Sequence, residues 1–402
     1  MLATTYDFVV VGAGIVGLTV ARELMLRDPS ASVAILDKEE NIGAHASGRN
    51  SGVLHCGIFY GSDTLKAKVC SQGATRMAEF ASENGIPYLK SGKVILATSE
   101  QQLPVIERLM FNARENGINA QRINEQELYE LEPAATPGPA AIYCPDTAVI
   151  NSVAVLKQLR LLLEQQGVVF LFGWQVKGLK ASNKIETTQG ILSYGFLYNC
   201  AGAHADTLAR HYGLAQDYAL IPFKGIYWKL SKEADHLVRA NIYPVPDVSL
   251  PFLGIHLTRI INGDVYVGPT AIPALGRENY GKIKGIHLSE ALTIGGHLAS
   301  MYLGNKNNFR LLAHTEMEKY SKNCFLSAAR KLVPVLQENH LVPTLKSGIR
   351  PQLINVKTKK IEMDYIFEQT NNSMHVLNTI SPAFTSSFAF AEMIVDQSQE
   401  NL

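Results

Sequence analysis

The stretch YDFVVVGAGIVG, residues 6–17, decides the fold of this chain. Its first six residues are β-branched, aromatic or apolar apart from one acid, as in a strand buried on both faces. A GxGxxG pattern follows at once, with glycines at Gly12, Gly14 and Gly17. A helix with periodic apolar residues then extends to about Leu26. Strand, glycine turn and helix in this order predict the start of a βαβ unit in a parallel sheet.

The three glycines indicate a site for a dinucleotide. Gly12 allows a tight turn, Gly14 lets the backbone approach a pyrophosphate, and Gly17 lets the helix pack closely on the sheet. The start of the helix, which includes Ile15 and Val16, offers unpaired N–H groups and a partial positive charge to the phosphates.

A second buried strand ends at Asp37, which stands 20 positions after Gly17. An acid at this distance is expected to accept hydrogen bonds from ribose hydroxyls, with Lys38 beside it. A plain βαβ unit without a ligand is the alternative, but three glycines together with this acid favour a binding site.

Three further segments favour FAD over NAD, because FAD is longer and contacts more of the chain. The small residues of Ala46–Gly52 suit a backbone that lies against a flat ring. Asn199–Gly202 follow a later strand, and Thr379–Phe384 precede a helix whose positive end could point at the reduced flavin. The residues expected to contact FAD in and next to these segments are Ser47, Gly48, Asn50, Ser51, Gly52, Ala201, Gly202, Pro382, Ala383, Thr385 and Ser386.

The pattern of elements predicts an α/β fold, in which a Rossmann-type FAD-binding domain carries an inserted α+β substrate domain built on an antiparallel sheet. We expect the FAD-binding domain to be discontinuous, with parts at residues 1–84, 146–219 and 344–402. The substrate domain would occupy residues 85–145 and 220–343.

Composition excludes several other classes. The formal net charge is +1, without a basic stripe, which argues against a nucleic-acid partner. Five widely spaced cysteines and eleven histidines form no metal-binding motif, and no apolar run is long enough to span a membrane. We therefore expect a cytoplasmic protein without a metal, whose only membrane contact would be peripheral, at the inner face.

The chain resembles the D-amino-acid-oxidase-like flavoproteins, and within them the L-2-hydroxyglutarate dehydrogenase/oxidase group. The resemblance covers nearly the whole chain. It is most specific in SGRNSGVLHCGIFY (residues 47–60), VGPTAIPALGRENY (267–280) and HVLNTISPAFTSS (375–387), and is also carried by PFKGIYWKL (222–230), FLGIHLTR (252–259) and SGIRPQL (347–353). It implies FAD, oxidation of a 2-hydroxy dicarboxylic acid to the 2-oxo acid, and transfer of electrons to a quinone-linked acceptor or to oxygen.

Oxidation of an alcohol requires a base for the hydroxyl proton and a group that fixes the carboxylate. Histidine suits the base, because its ordinary pKa lies near neutrality. His55 and His256 both fall in the resembling segments, and the sequence does not choose between them. Arg350 is predicted to bind a substrate carboxylate in a bidentate way and to lie beside the flavin.

Three other side chains are candidates for substrate binding. Lys224 could hold the second carboxylate of a dicarboxylic acid, although a solvated surface lysine is almost as plausible. Tyr60 and Tyr227 could donate hydroxyl hydrogen bonds, although aromatic residues in such strands more often serve packing.

Three other functions stay open at this point. The fold would equally suit an amine or amino-acid oxidase, or a glycerol-3-phosphate dehydrogenase. A flavin-binding scaffold without catalysis is the alternative of another class, against which the two histidines and Arg350 argue.

Overall fold

The structure is a computed structural model that describes residues 4–247 and 252–399, apart from the side chain of Asn307. Its strands are β1 Thr5–Val11, β2 Val33–Asp37, β3 Val53–Leu54, β4 Tyr88–Leu89, β5 Lys93–Ala97, β6 Gln121–Ile123, β7 Ala140–Cys144, β8 Ala148–Ile150, β9 Val169–Phe172, β10 Val176–Ala181, β11 Lys184–Thr187, β12 Gly190–Asn199, β13 Tyr218–Leu230, β14 Asn241–Pro244, β15 His256–Arg259, β16 Val265–Gly268, β17 Ile272–Pro273, β18 Leu341–Asn355, β19 Lys360–Ile361, β20 Phe367–Thr370 and β21 Ser373–Val376. Its α-helices are α1 Ile15–Arg27, α2 Leu65–Glu83, α3 Leu103–Glu115, α4 Glu125–Leu131, α5 Ser152–Gln165, α6 Ala205–Arg210, α7 Leu288–Gly304, α8 Phe309–Glu318, α9 Lys322–Arg330 and α10 Ala383–Gln399.

The first sheet is the nucleotide-binding sheet that the glycine pattern predicts. Its parallel core has the order β9-β2-β1-β12-β21, and the antiparallel strands β10, β11 and β20 complete it. Helices α1, α2, α5 and α10 contribute to one continuous apolar core against this sheet. Helix α10 therefore packs beside α1 and α2. Its Phe388 contacts Phe80 of α2, with ring centroids 5.2 Å apart.

The second sheet is largely antiparallel and follows the order β19-β18-β13-β16-β15-β14-β5-β7-β6. Helix α9 covers one face, where Phe325 and Leu326 pack with Leu257, Val265 and Val267. Because neighbouring side chains of a strand point to opposite faces, the residues next to these positions, such as His256, face the other way. The α/β fold with a substrate sheet is thus confirmed.

One part of the predicted domain organisation needs correction. Strand β18 pairs with β13 over most of its length, from Leu341 opposite Leu230 to Asn355 opposite Tyr218. The chain therefore stays in the second sheet beyond residue 344, where we expected it to return to the nucleotide domain. The segment SGIRPQL is compatible with a strand in either sheet, so the sequence does not indicate which strand it pairs with. The other domain limits stay predictions.

In the described part of the chain, no helix combines the length and the apolar character needed to cross a bilayer.

Candidate active site

One elongated cavity of about 460 Å³ lies between the two sheets. Its first half follows the carboxyl ends of β1, β2 and β12, which is where open parallel sheets bind nucleotides. Its second half lies on the face of the second sheet that α9 does not cover. The size is within the usual range for small-molecule sites.

The glycine turn after β1 has the geometry that the sequence predicts. Gly12 has φ +110°, and a Cβ atom there would lie 2.4 Å from the carbonyl oxygen of Cys200, at the end of the neighbouring strand. A Cβ atom on Gly17 would lie 1.9 Å from the carbonyl oxygen of Gly12. Both positions therefore exclude any side chain, and Gly17 serves packing rather than contact with the cavity.

The start of α1 fits a diphosphate. Its N-terminal residue Gly14 provides no side-chain cap, and its first turn contains no acid. The Ser47 hydroxyl accepts a hydrogen bond from the Ile15 amide at 2.9 Å, which brings the small-residue loop to the helix. Asp37 accepts hydrogen bonds from the amides of Ala13, at 2.8 Å, and Glu39, at 2.9 Å, so its carboxylate is fixed at the cavity wall. The other amides at the start of α1, next to this fixed carboxylate, are the groups that a diphosphate and a ribose require.

Most of the residues predicted to contact the cofactor line this cavity, and their assignment stays a prediction. Those that line it are Gly12, Gly14, Ile15, Val16, Asp37, Lys38, Ser47, Asn50, Ser51, Ala201, Gly202, Arg350, Pro382, Ala383 and Thr385. The others are Gly17, Gly48, Gly52 and Ser386. Gly48 and Gly52 pack against backbone carbonyls, and the Ser386 hydroxyl contacts that of Tyr365 at 2.8 Å.

Several cavity residues escaped the sequence analysis. Trp174 and Gln175 follow β9, whose parallel pairing with β2 was not predicted, although the strand followed by a glycine was a usable signal. Arg277, Glu278 and Tyr280 lie in a loop after β17, within a segment that carried the family resemblance. Nothing in their spacing indicated a cavity.

The two candidate bases lie on the wall of the second half of the cavity. His256 is buried and stacks on Tyr243, with ring centroids 4.0 Å apart, and its Nδ1–H donates to the carbonyl oxygen of Gly254 at 3.0 Å. Because a carbonyl can only accept, Nε2 carries the free lone pair. Burial, with the charges of Lys93 and Arg350, lowers the pKa of His256 to about 4.

His55 faces the same space. Its backbone amide donates to the hydroxyl of Thr385 in the first turn of α10, at 3.2 Å. Burial lowers its pKa to about 3, and the charges of Lys93, His256 and Arg350 act in the same direction. Both imidazoles are therefore neutral at physiological pH and able to accept a proton.

Arg350 is the only arginine of the described residues on this part of the wall, and it has no carboxylate partner among them. Its guanidinium lies over the Phe252 ring, 5.3 Å from the centroid, and burial lowers the pKa of the guanidinium. An unpaired charge in such a position is costly. A bound carboxylate would remove that cost.

Gly268 lets the strands beside His256 pack closely. His256 is directly opposite Gly268 in the β15–β16 ladder. A Cβ atom on Gly268 would lie 3.1 Å from the Tyr227 ring. The glycine therefore lets β16 approach Tyr227 of β13 closely, and His256 and Tyr227 both line the cavity.

Lys224 and Tyr60, which we predicted to bind substrate, lie outside the cavity wall. The Lys224 ammonium donates to the Asn279 side chain at 2.9 Å and to the Gly281 carbonyl oxygen at 2.6 Å, so it is an internal anchor. The Tyr60 ring is beside the Lys66 ammonium, 5.6 Å from the centroid. The sequence places both residues in the right segments but does not show which way they point.

A glycine turn suited to a diphosphate and a second compartment lined by two neutral histidines and Arg350 are the features expected of a flavin-dependent oxidoreductase. The chain belongs to the FAD dependent oxidoreductase family, whose model matches residues 7–397. FAD is its cofactor, as the sequence predicts.

Relatives of known activity are similar over almost their whole length. The chain is 35% identical to "L-2-hydroxyglutarate dehydrogenase" of Indibacter alkaliphilus, over 97% of this chain and 98% of the relative. It is 32% identical to the mitochondrial L-2-hydroxyglutarate dehydrogenase of Homo sapiens, over 99% of this chain and 89% of the relative. Among solved structures, dithionite-reduced L-alpha-glycerophosphate oxidase from Mycoplasma pneumoniae, with FAD bound, superposes with a TM-score of 0.79 at 21% identity, over 99% of this chain and 95% of that one. The fold is also similar to that of glycine oxidase from Geobacillus kaustophilus, with a TM-score of 0.72 at 18% identity, over 99% of this chain and 95% of that one.

Proposed function

We propose that the protein oxidises L-2-hydroxyglutarate to 2-oxoglutarate. The observation that carries the proposal is the Arg350 guanidinium, which has no carboxylate partner among the described residues and lines the same cavity as two neutral histidines. A guanidinium there selects an anionic substrate, and a neutral imidazole suits an alcohol that must lose a proton. The full-length similarity to L-2-hydroxyglutarate dehydrogenases supports this substrate over other 2-hydroxy acids.

The residues of the chain would divide the work as follows. Arg350 binds the carboxylate next to the hydroxyl group and so fixes the orientation of the reacting carbon. The Nε2 atom of His256 accepts the hydroxyl proton, while its Nδ1–H stays on the Gly254 carbonyl and keeps the ring in place. Bound FAD supplies the acceptor for the hydride that leaves the carbon.

Reduction of the flavin by a panel of compounds under anaerobic conditions tests the substrate. We expect L-2-hydroxyglutarate to bleach the flavin absorbance at a low concentration, because it alone in the panel combines the L configuration of the 2-hydroxy acid with a second carboxylate. The D-enantiomer, L-lactate, glycerol 3-phosphate, glycine and sarcosine are the comparison compounds. Faster bleaching by an amino acid or by glycerol 3-phosphate would refute the proposal, and a failure of every compound would favour the non-catalytic scaffold.

We further propose that the enzyme works in the cytoplasm, in contact with the inner face of the membrane, and passes its electrons to a quinone-linked acceptor, with oxygen as the alternative. Helix α7 supports the contact because it buries only Ile294 and Met301 among its described side chains. Leu288 and Leu292 are 77% and 68% exposed, and Ile283, between two lysines of the preceding loop, is 81% exposed. Exposed apolar side chains beside cations suit an anionic lipid surface.

Co-sedimentation with vesicles tests this contact. We expect the protein to bind vesicles that contain phosphatidylserine, and the double variant Leu288→Ser/Leu292→Ser to bind several-fold less, because it loses two exposed apolar side chains that would enter the lipid surface. Phe111→Ser, which removes an exposed aromatic side chain from α3, is the matched control. Equal binding by the double variant and the control would contradict the proposed surface.

A further inference from the structure

The loop that follows β17 crosses from the second sheet to the nucleotide-binding half of the molecule. It is closed at its base, because a Cβ atom on Gly276 would lie 2.2 Å from the Gly285 carbonyl oxygen. We name residues 276–281 of this loop the strap. Arg277, Glu278 and Tyr280 of the strap line the cavity, so they form a wall of the cofactor site that the glycine turn does not provide.

Two acid–base contacts tie the strap to the nucleotide half. Glu278 accepts from Lys38 Nζ at 2.7 Å and from His204 Nε2 at 2.8 Å. Its carboxylate also lies near Glu39, but the Lys38 ammonium contacts both acids and supplies the positive charge between them. These contacts, to His204 first, lower the pKa of Glu278 to about 2. Because Lys38 follows Asp37, the predicted ribose-binding residue, the Lys38–Glu278 contact would lie beside the bound nucleotide.

A buried ion pair holds the start of the strap. The Arg277 guanidinium donates to the fully buried carboxylate of Asp206 in α6, with one contact at 3.0 Å, and to the carbonyl oxygen of Ala203 at 2.6 Å. Asp206 also accepts from the Leu220 amide at 3.1 Å. This pair is an anchor, since the Arg277 side chain is 12% exposed and that of Asp206 is fully buried.

The other end of the strap is fixed to the substrate sheet. The Ser347 hydroxyl donates to the Tyr280 carbonyl oxygen at 3.2 Å, and Lys224 holds Asn279 and Gly281. The Tyr280 hydroxyl meets His45 Nδ1 at 2.8 Å. The strap is therefore joined to both halves of the molecule on either side of the cavity.

We propose that the strap is a cofactor-retaining element, which holds the nucleotide end of FAD and sets the rate at which FAD leaves. The contacts of Glu278 should break more easily than the Arg277–Asp206 pair, because the Glu278 side chain is one-third exposed whereas that of Asp206 is fully buried. FAD release then requires the carboxylate of Glu278 to part from Lys38 and His204, while Arg277 stays in place as the hinge.

The test is the rate of FAD release from the holoenzyme, followed as the rise of flavin fluorescence after dilution. Glu278→Gln should accelerate release about tenfold or more, because it removes the charge from both contacts but keeps the shape of the side chain. Glu186→Gln removes a similar partly exposed pair with Lys180, 3.0 Å apart, and should release FAD at the wild-type rate. Tyr280→Phe, which loses only the hydroxyl contact, should have a smaller effect in the same direction.

Release at the wild-type rate from both strap variants would overturn the proposal. So would equal acceleration by Glu278→Gln and Glu186→Gln, or acceleration matched by an equal loss of stability in the apoprotein, since either would indicate general weakening. Because no substrate is added, the result is independent of the proposed oxidation of L-2-hydroxyglutarate.

Discussion

Replacing both candidate bases, in H55N/H256N, will lower the rate constant of flavin reduction by L-2-hydroxyglutarate about 10²- to 10⁴-fold, the usual contribution of a positioned base. We expect His256→Asn alone to cause most of that loss. The Gly254 carbonyl and the Tyr243 ring fix its tautomer and its plane, so that Nε2 is a ready acceptor. Stopped-flow absorbance in the absence of oxygen measures the rate, and the flavin spectrum before mixing shows that the cofactor is retained.

The pH profile of the wild-type enzyme provides an independent check. Only the neutral imidazole accepts a proton, so kcat/KM falls as the pH drops through the pKa of the free enzyme. Burial lowers the pKa of His256 to about 4. The acid limb should therefore lie well below the ordinary histidine pKa of about 6.5. An acid limb at about pH 6.5, the ordinary histidine pKa, would give the role of base to a group other than His256. A full loss of rate in His55→Asn alone would do the same.

Arg350→Met will lower kcat/KM for L-2-hydroxyglutarate roughly 30- to 4000-fold. This factor corresponds to a loss of about 2–5 kcal/mol of transition-state stabilisation. The apolar replacement leaves a substrate carboxylate buried without a partner, which is the costly half of such a pair. Steady-state kinetics with an artificial electron acceptor will measure the loss. Arg350→Lys should recover a part of it, since a lysine keeps the charge but not the two parallel hydrogen bonds.

The control for this prediction is Arg122→Met, which breaks an exposed pair with Glu107 and should leave the kinetics unchanged. Arg350→Met should still bind FAD, because the glycine turn and Asp37 lie at the other end of the cavity. If that variant kept the wild-type kcat/KM, the guanidinium would have a structural role and the substrate carboxylates would bind elsewhere.

Local patterns were sufficient for the nucleotide half of the site. The turn at Gly12 and the close contact at Gly17 depend on residues that adjoin in sequence, and Asp37 lies at the end of a strand whose neighbour is β1. Parallel strands end at one edge of a sheet, so a pattern at the end of each strand locates the site. The same rule applied to β9 would have found Trp174.

The substrate half could not be predicted to the same depth, because its side chains come from strands that are far apart in sequence. Lys224 and Tyr227 lie on one strand, three residues apart and therefore on opposite faces, and only Tyr227 reaches the cavity. The placement of β18 in the second sheet depends on its pairing with β13, more than 100 residues earlier. The strap depends on contacts from Lys38 to Glu278 that no local pattern reveals.

The position of α10 has a consequence for how the protein is made. This helix is the last element of the described chain, yet it packs against α1 and α2 and supplies Ala383 and Thr385 to the cavity. A nascent chain on the ribosome thus carries the diphosphate turn long before α10 and lacks the remaining wall until α10 has been synthesised. We therefore expect full retention of the yellow cofactor only once α10 has been made.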